Sequence, residues 1–219
     1  MNQIRLGLFD IFGYLIPGVA HLILISLALG FIGSIPQLIM IIYALSLNAV
    51  LAYAFLGYVI GFIFEGIAIR YVSIILDNIL GRLNDRVIKQ FRSFHPESKI
   101  KSYDINMIYA YSDVNLSTSL EKADTFFAMG SLARNLSFAF LVFAILTIVR
   151  AIIQWNITNW FYVCLAAPSA IVLSVYLVFQ ADRFRKSSHI HLLNTYYVIT
   201  EKGENMKRIR HIRKTSKDE

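Results

Sequence analysis

Residues 11–33, IFGYLIPGVAHLILISLALGFIG, and residues 37–64, QLIMIIYALSLNAVLAYAFLGYVIGFIF, contain no Lys, Arg, Asp or Glu. A helix needs roughly 20 apolar residues to cross the hydrocarbon core of a bilayer, so each run is long enough to span. Two more runs follow, at 126–153 and 159–180. The expected solvent of most of this chain is therefore lipid. The predicted fold is an all-α membrane protein, with four transmembrane helices in two hairpins and cytoplasmic helical extensions.

Composition agrees. Of 219 residues, 57% are hydrophobic and 16% are charged, against about 25% charged in a soluble domain. Little soluble mass is left for a separate catalytic domain. Cys164, the single cysteine, allows no intrachain disulfide and no Cys-based zinc site. No Glu/His constellation has di-metal spacing, so neither a metal nor a cofactor is expected.

Charge sets the expected topology. Segment 66–125 carries eight basic residues and the chain after residue 180 carries ten, whereas the connection around Gly33, Ser34 and Pro36 carries none. The connection between runs three and four has only Arg150, at its edge. By the positive-inside rule both termini face the cytoplasm of a bacterial inner membrane, and Trp155, Trp160, Phe161 and Tyr162 fall at the outer interface. Four segments follow: a first transmembrane hairpin at 1–65, a cytoplasmic amphipathic segment at 66–125, a second hairpin at 126–182, and a cytoplasmic helix with a basic tail at 183–219. The second span is expected to continue as a stalk through Leu76, Leu80, Leu83, Val87 and Phe91 until His95-Pro96 stops it. Residues 103–112 suggest another short helix, and Thr118 with Glu121 a capping box. Phe184, Ile190, Leu193, Tyr196 and Tyr197 suggest a last helix with one apolar face, ended by Gly203. In the tail, Arg208, Arg210, Arg213 and Lys214 favour anionic lipid headgroups.

Polar groups inside the spans are few and informative, because lipid offers them no partner. His21 is expected near the bilayer middle, bonded to Asn48 or a tyrosine, or lining a pore. Glu65 and Arg134 have similar depth and are expected to pair or to gate. Gly57 and Gly61 form a GxxxG helix-packing pair that Gly66 continues. Pro17 and Gly18 predict a kink in the first span.

Three short patches carry a resemblance: Tyr14 to Gly18, the pair Arg134-Asn135, and the exit from Tyr176 to Arg183 and Arg185. In these the chain resembles small bacterial four-span membrane effectors associated with antiphage defence, of the CBASS or CRISPR type. The resemblance implies a homo-oligomeric pore-forming or membrane-perturbing effector, switched on by a cytoplasmic protein or a nucleotide signal. Two alternatives stand beside it. Arg183 and His189 match the Arg…His spacing of HEPN ribonucleases, in which the pair acts on the RNA 2′-hydroxyl and scissile phosphate. The chain also suits a non-catalytic scaffold that recruits a cytoplasmic partner. No nucleic-acid recognition module accompanies the basic tail, so nucleic acid is not an expected partner.

Overall fold

The computed structural model describes residues 7, 10–32, 35–98, 100, 108, 117–154 and 157–199. Every element among them is helical. A π-helical turn, Ile11–Leu15, leads into α1 (Ile16–Leu29). Then come α2 (Ile35–Ala44), α3 (Leu47–Leu80), α4 (Leu83–Phe94), α5 (Ser117–Ile153) and α6 (Ile157–Ile199). Four stretches are long and apolar enough to cross a membrane: Ile11–Leu29, Leu47–Leu80, Lys122–Ile153 and Val163–Val198. The chain divides into two compact units. One comprises Met1–Ile79 with Ala128–Phe184, the other Leu80–Phe127 with Arg185–Glu219.

In the first unit, α1 and α3 approach to backbone contact. A Cβ built on Gly18 would fall on the Gly57 carbonyl, and one on Gly61 would fall on the Tyr14 carbonyl. The helices are therefore antiparallel, and only glycine permits the crossing. Gly66 does not continue this stripe: no described atom lies within 4 Å of its Cβ position. The spacing explains the difference. Four residues carry Gly57 to Gly61 about 40° around the helix, but five more swing Gly66 about 140° off that face.

Where α5 packs on α6, small residues recur at seven-residue intervals. Gly130, Ser137, Ala144 and Ala151 are all buried on α5, and so are Ala167, Ser174 and Ala181 on α6. Ser137 meets Ser174, and Ala144 clusters with Ala167 and Ala170. A seven-residue repeat keeps one seam facing its partner, and small side chains let the axes approach. The same spacing in sequence reaches Ala123 and Ser188, which meet in the second unit, where the Ser188 hydroxyl donates to the Ala123 carbonyl at 2.9 Å.

Two sequence expectations are corrected. Run 37–64 is not one helix: α2 ends at Ala44 and α3 starts at Leu47, with the Ser46 hydroxyl accepting from the Ala49 N–H at 3.3 Å. Nor is the stalk continuous. Gly81 adopts a φ of 76°, a left-handed conformation that ends a helix and suits glycine. Beyond it α4 stops at Phe94, as His95-Pro96 predicts.

The second unit has its own core. Val87, Ile88 and Phe91 of α4 join Ile100, Ile108, Leu192 and Leu193, with Ile190, Tyr196 and Tyr197 packed against them. The apolar face of the expected stalk is thus covered by this chain's own C-terminal helix. His95 sits between Phe91 and Tyr197, its ring centroid 4.3 Å from the tyrosine's, and hydrogen-bonds Asn194 at 3.1 Å. Several sequence expectations lie outside the described residues. They are segment 103–112 apart from Ile108, the side chains of Thr118, Glu121, Trp160, Phe161 and Tyr162, and Trp155, Gly203, Arg208, Arg210, Arg213 and Lys214.

The α1–α3 contact yields a paired test. Gly61→Leu should destabilise the detergent-solubilised protein by about 2 kcal/mol or more, because the added side chain meets backbone that cannot repack. Gly66→Leu should stay within about 0.5 kcal/mol of the parent. Thermal unfolding of the two variants checks the contrast, and equal losses would refute the crossing.

Candidate functional site

Pro17 organises the polar interior of the first unit. Proline has no N–H, and its ring crowds the carbonyl four residues back. That carbonyl belongs to Gly13. The chain widens there: the Ile16 N–H bonds Ile11 O, five residues back, as a π-turn requires. The Gly13 carbonyl then accepts the side-chain amide of Asn135 at 2.7 Å. Asn135 is fully buried, so this bond ties the irregular turn to α5. The expected kink at Pro17 and Gly18 thus takes the form of a π-turn just before the proline.

Further along the same helices, Arg150 donates to the Ala28 carbonyl at 3.3 Å. Gly13 to Asn135 and Ala28 to Arg150 are the same separation in sequence, so α1 and α5 run parallel and in step. Arg150 also holds Gln154 at 3.0 Å. Its cation lies at the carboxyl end of α1, where the helix dipole favours positive charge. Gly30 closes α1 there with a φ of 81°.

Glu65 and Arg134 form an ion pair, Nη2 to Oε1 at 2.7 Å, with side chains 13% and 4% exposed. Ser131 bridges them: Arg134 donates to its hydroxyl at 3.0 Å, and that hydroxyl donates to Glu65 at 3.3 Å. Tyr14 hydrogen-bonds the same carboxylate. The π-turn, α3 and α5 thereby converge on one carboxylate. A buried charge needs such company, since its desolvation is repaid only by close, well-oriented partners.

His21 is 1% exposed. Its Nδ1 bonds the Pro17 carbonyl at 2.8 Å, and a carbonyl only accepts, so the proton sits on Nδ1. The ring stacks on Phe64 at 4.8 Å and lies 5.9 Å from Phe138. The expected partner Asn48 is elsewhere, exposed on α3. The spacing reason is local: a histidine four residues after a proline reaches that proline's carbonyl on its own helix.

A third polar group joins α3, α5 and α6. Ser137 and Ser174 exchange bonds, each hydroxyl donating to the other's carbonyl at 2.9 and 2.8 Å. With the Ser174 proton so used, Tyr71 donates its hydroxyl to Ser174 Oγ at 3.0 Å. Tyr14, Tyr71, Ser131 and Ser137 were not among the expected site residues. Their signal in the sequence is spacing: Ser131, Arg134, Asn135 and Phe138 repeat at helical intervals, and Ser137 falls on the small-residue heptad.

Arg183 and His189 both lie on α6, the first exposed and the second half-buried. Six residues on a helix turn the second side chain about 120° from the first. Among the described residues, no group of three or more His, Cys, Asp or Glu is placed to hold a metal ion. Comparison with protein-family models, with curated proteins and with solved structures finds no match for this chain.

The ion pair invites a double-mutant cycle. Glu65→Gln or Arg134→Met alone should each cost about 3–5 kcal/mol, because a buried charge is left without its partner. The double variant should cost much less than the two together. Unfolding in detergent measures all three, and additive losses would show that the two side chains act independently.

Proposed function

We propose that this chain is a multi-pass inner-membrane protein that works as a homo-oligomeric pore-forming or membrane-perturbing device. Its spans form two hairpins with both termini cytoplasmic. The observation that carries the reading is the bareness of α3. Of its most apolar stretch only 11% is buried within the chain. Phe55, Leu56, Phe62, Ile63 and Ile67 are exposed, and so are Asn48, Tyr53 and Tyr58 on the same helix. Lipid tails satisfy the apolar side chains, while Asn48, two residues inside the α2–α3 break, needs a polar partner. Asn side chains in membranes bond across helices, and a second copy of α3 supplies that partner. Association through the Asn48 face of α3, which Phe55 and Phe62 continue at seven-residue steps, leaves the Glu65–Arg134 cluster as the element that holds each subunit's helices in register.

Helix directions support the hairpins. The parallel α1 and α5 and the opposed α3 and α6 suit spans that run alternately outward and inward. The basic residues of 66–125 and of the tail then share the cytoplasmic side. A trigger belongs to the proposal too: a cytoplasmic protein or nucleotide signal acting on those basic segments, as in a defence effector.

Dye release from liposomes, with the oligomeric mass measured in the same preparation, tests the reading. A defined oligomer should release a small trapped dye, at a rate rising more steeply than the protein-to-lipid ratio. Asn48→Leu should reduce both assembly and release. A monomer in vesicles that stay sealed would overturn the proposal.

A further inference from the structure

Helix α2 lies outside the four stretches that are long and apolar enough to cross a membrane. It has ten residues, Ile35–Ala44, with no charge. Four of its large side chains are exposed, Tyr43 at 88%, Met40 at 65%, and Ile39 and Ile42 at about half, while Leu38 and Ile41 are half-buried. An apolar helix of this kind is not stable in water on all sides, since each large side chain left in water forfeits about 1.5–3 kcal/mol of burial.

Its depth follows from the α1–α3 crossing. Gly18 meets Gly57, and Tyr14 meets Gly61. Leu29, the last residue of α1, lies eleven residues beyond Gly18. Eleven residues before Gly57 is Ser46, where the α2–α3 break falls. The break is therefore level with the end of α1. The stretch of α3 opposite Ile11–Leu29 already covers about 28 Å, close to the full thickness of a bilayer core of about 30 Å. Nothing of the core remains for α2 to cross. Both its ends connect to points at one level: Gly30 closes α1 there, and Leu45 leads into Ser46.

We infer that α2 is a membrane-surface helix, bedded in the interfacial zone of the outer leaflet beside the spans. The lipid surface is its partner because α2 shares the apolar, charge-free character of the exposed stretch of α3 that follows it. Tyr43 marks the depth, since tyrosine prefers the headgroup level. Gln37 and Pro36 at the start of α2 also suit that zone better than the hydrocarbon. The inference rests on the four-span reading, and it identifies the part of the chain that loads one leaflet more than the other.

Site-directed fluorescence separates the two. Cys164 is replaced by Ala, and single cysteines at Met40, Tyr43 and Phe55 carry an environment-sensitive dye in phosphatidylcholine vesicles. Phe55 is exposed, near the middle of the part of α3 that runs opposite Ile11–Leu29. Its dye should lose emission to nitroxides near the lipid chain ends or, where two copies meet through α3, cross-link between them, and strong iodide quenching there would overturn the four-span reading itself. Dyes at Met40 and Tyr43 should lose more emission to headgroup-level nitroxides than to chain-end ones, and little to iodide in the water. Strong iodide quenching with no lipid quenching would overturn the inference while leaving the spans intact. So would protection from both quenchers together with copy-to-copy cross-linking at Met40, which would assign α2 to a second subunit.

Discussion

The contact between the backbones of α1 and α3 sets the geometry of everything around it. In water, helices associate because burial removes apolar surface from solvent. Among lipid chains that drive is absent, and close packing with interhelical hydrogen bonds must replace it. Gly18, Gly57 and Gly61 remove the side chains that would hold the axes apart. Once α1 and α3 touch, the register is fixed to the residue. That register brings Tyr14 to Glu65 and His21 to Phe64. The α5–α6 seam repeats the solution with alanine and serine at heptad spacing, where serine adds what alanine cannot. Each hydroxyl at Ser137 and Ser174 bonds the opposite backbone, so the seam has a preferred register and not only a close fit.

Polar groups here answer defects in the backbone. Pro17 breaks the regular ladder, the π-turn absorbs the mismatch, and Asn135 takes the Gly13 carbonyl. Arg150 does the same for the carboxyl end of α1. In an apolar medium an unpaired carbonyl costs several kcal/mol, so each of these side chains repairs a particular irregularity and fixes α5 against α1 while doing so. His21 follows the same pattern inside one helix. His21 Nε2 and Asn135 Oδ1 stay unpaired. Both belong to residues whose donor nitrogen is committed to a carbonyl, so the bond that fixes each side chain also leaves its acceptor without a partner.

Hydropathy made the helical fold and the four long apolar stretches legible, because twenty uncharged residues have few other solutions. Glu65 and Arg134 were legible as a pair from depth alone. Gly66 was misread because a run of glycines in an apolar stretch looks like one stripe until the helical phase is followed past the first pair. The break at Ser46 was hidden for a related reason. Hydropathy measures solvent preference, and α2 and α3 share it, whereas the break depends on a local cap by one serine. The stalk is interrupted at Gly81 because the three- and four-residue spacing of Leu76, Leu80 and Leu83 runs unbroken across that left-handed glycine. Partners such as Asn135 to Gly13 were out of reach of sequence periodicity, since they depend on which helix lies beside which.

At about 1.5 Å per residue, α3, α5 and α6 are each far longer than a bilayer core is thick. The stretch Ile11–Leu29 alone matches it, and its two ends are defined by the π-turn and by Gly30. Four residues past Gly61 is Glu65, and four before Tyr14 is Asp10, so the Glu65–Arg134 pair lies level with the start of that stretch. The His21 ring is drawn back along α1 by the Pro17 carbonyl and stacks on Phe64, the residue before Glu65. The aromatic contact and the ion pair therefore share one part of α3. A buried charge needs close partners to repay its desolvation, whereas a neutral histidine needs only its own helix and a ring to lie on. The charged cluster thus clamps three helices at one end of the stretch, beside a contact that needs no charge.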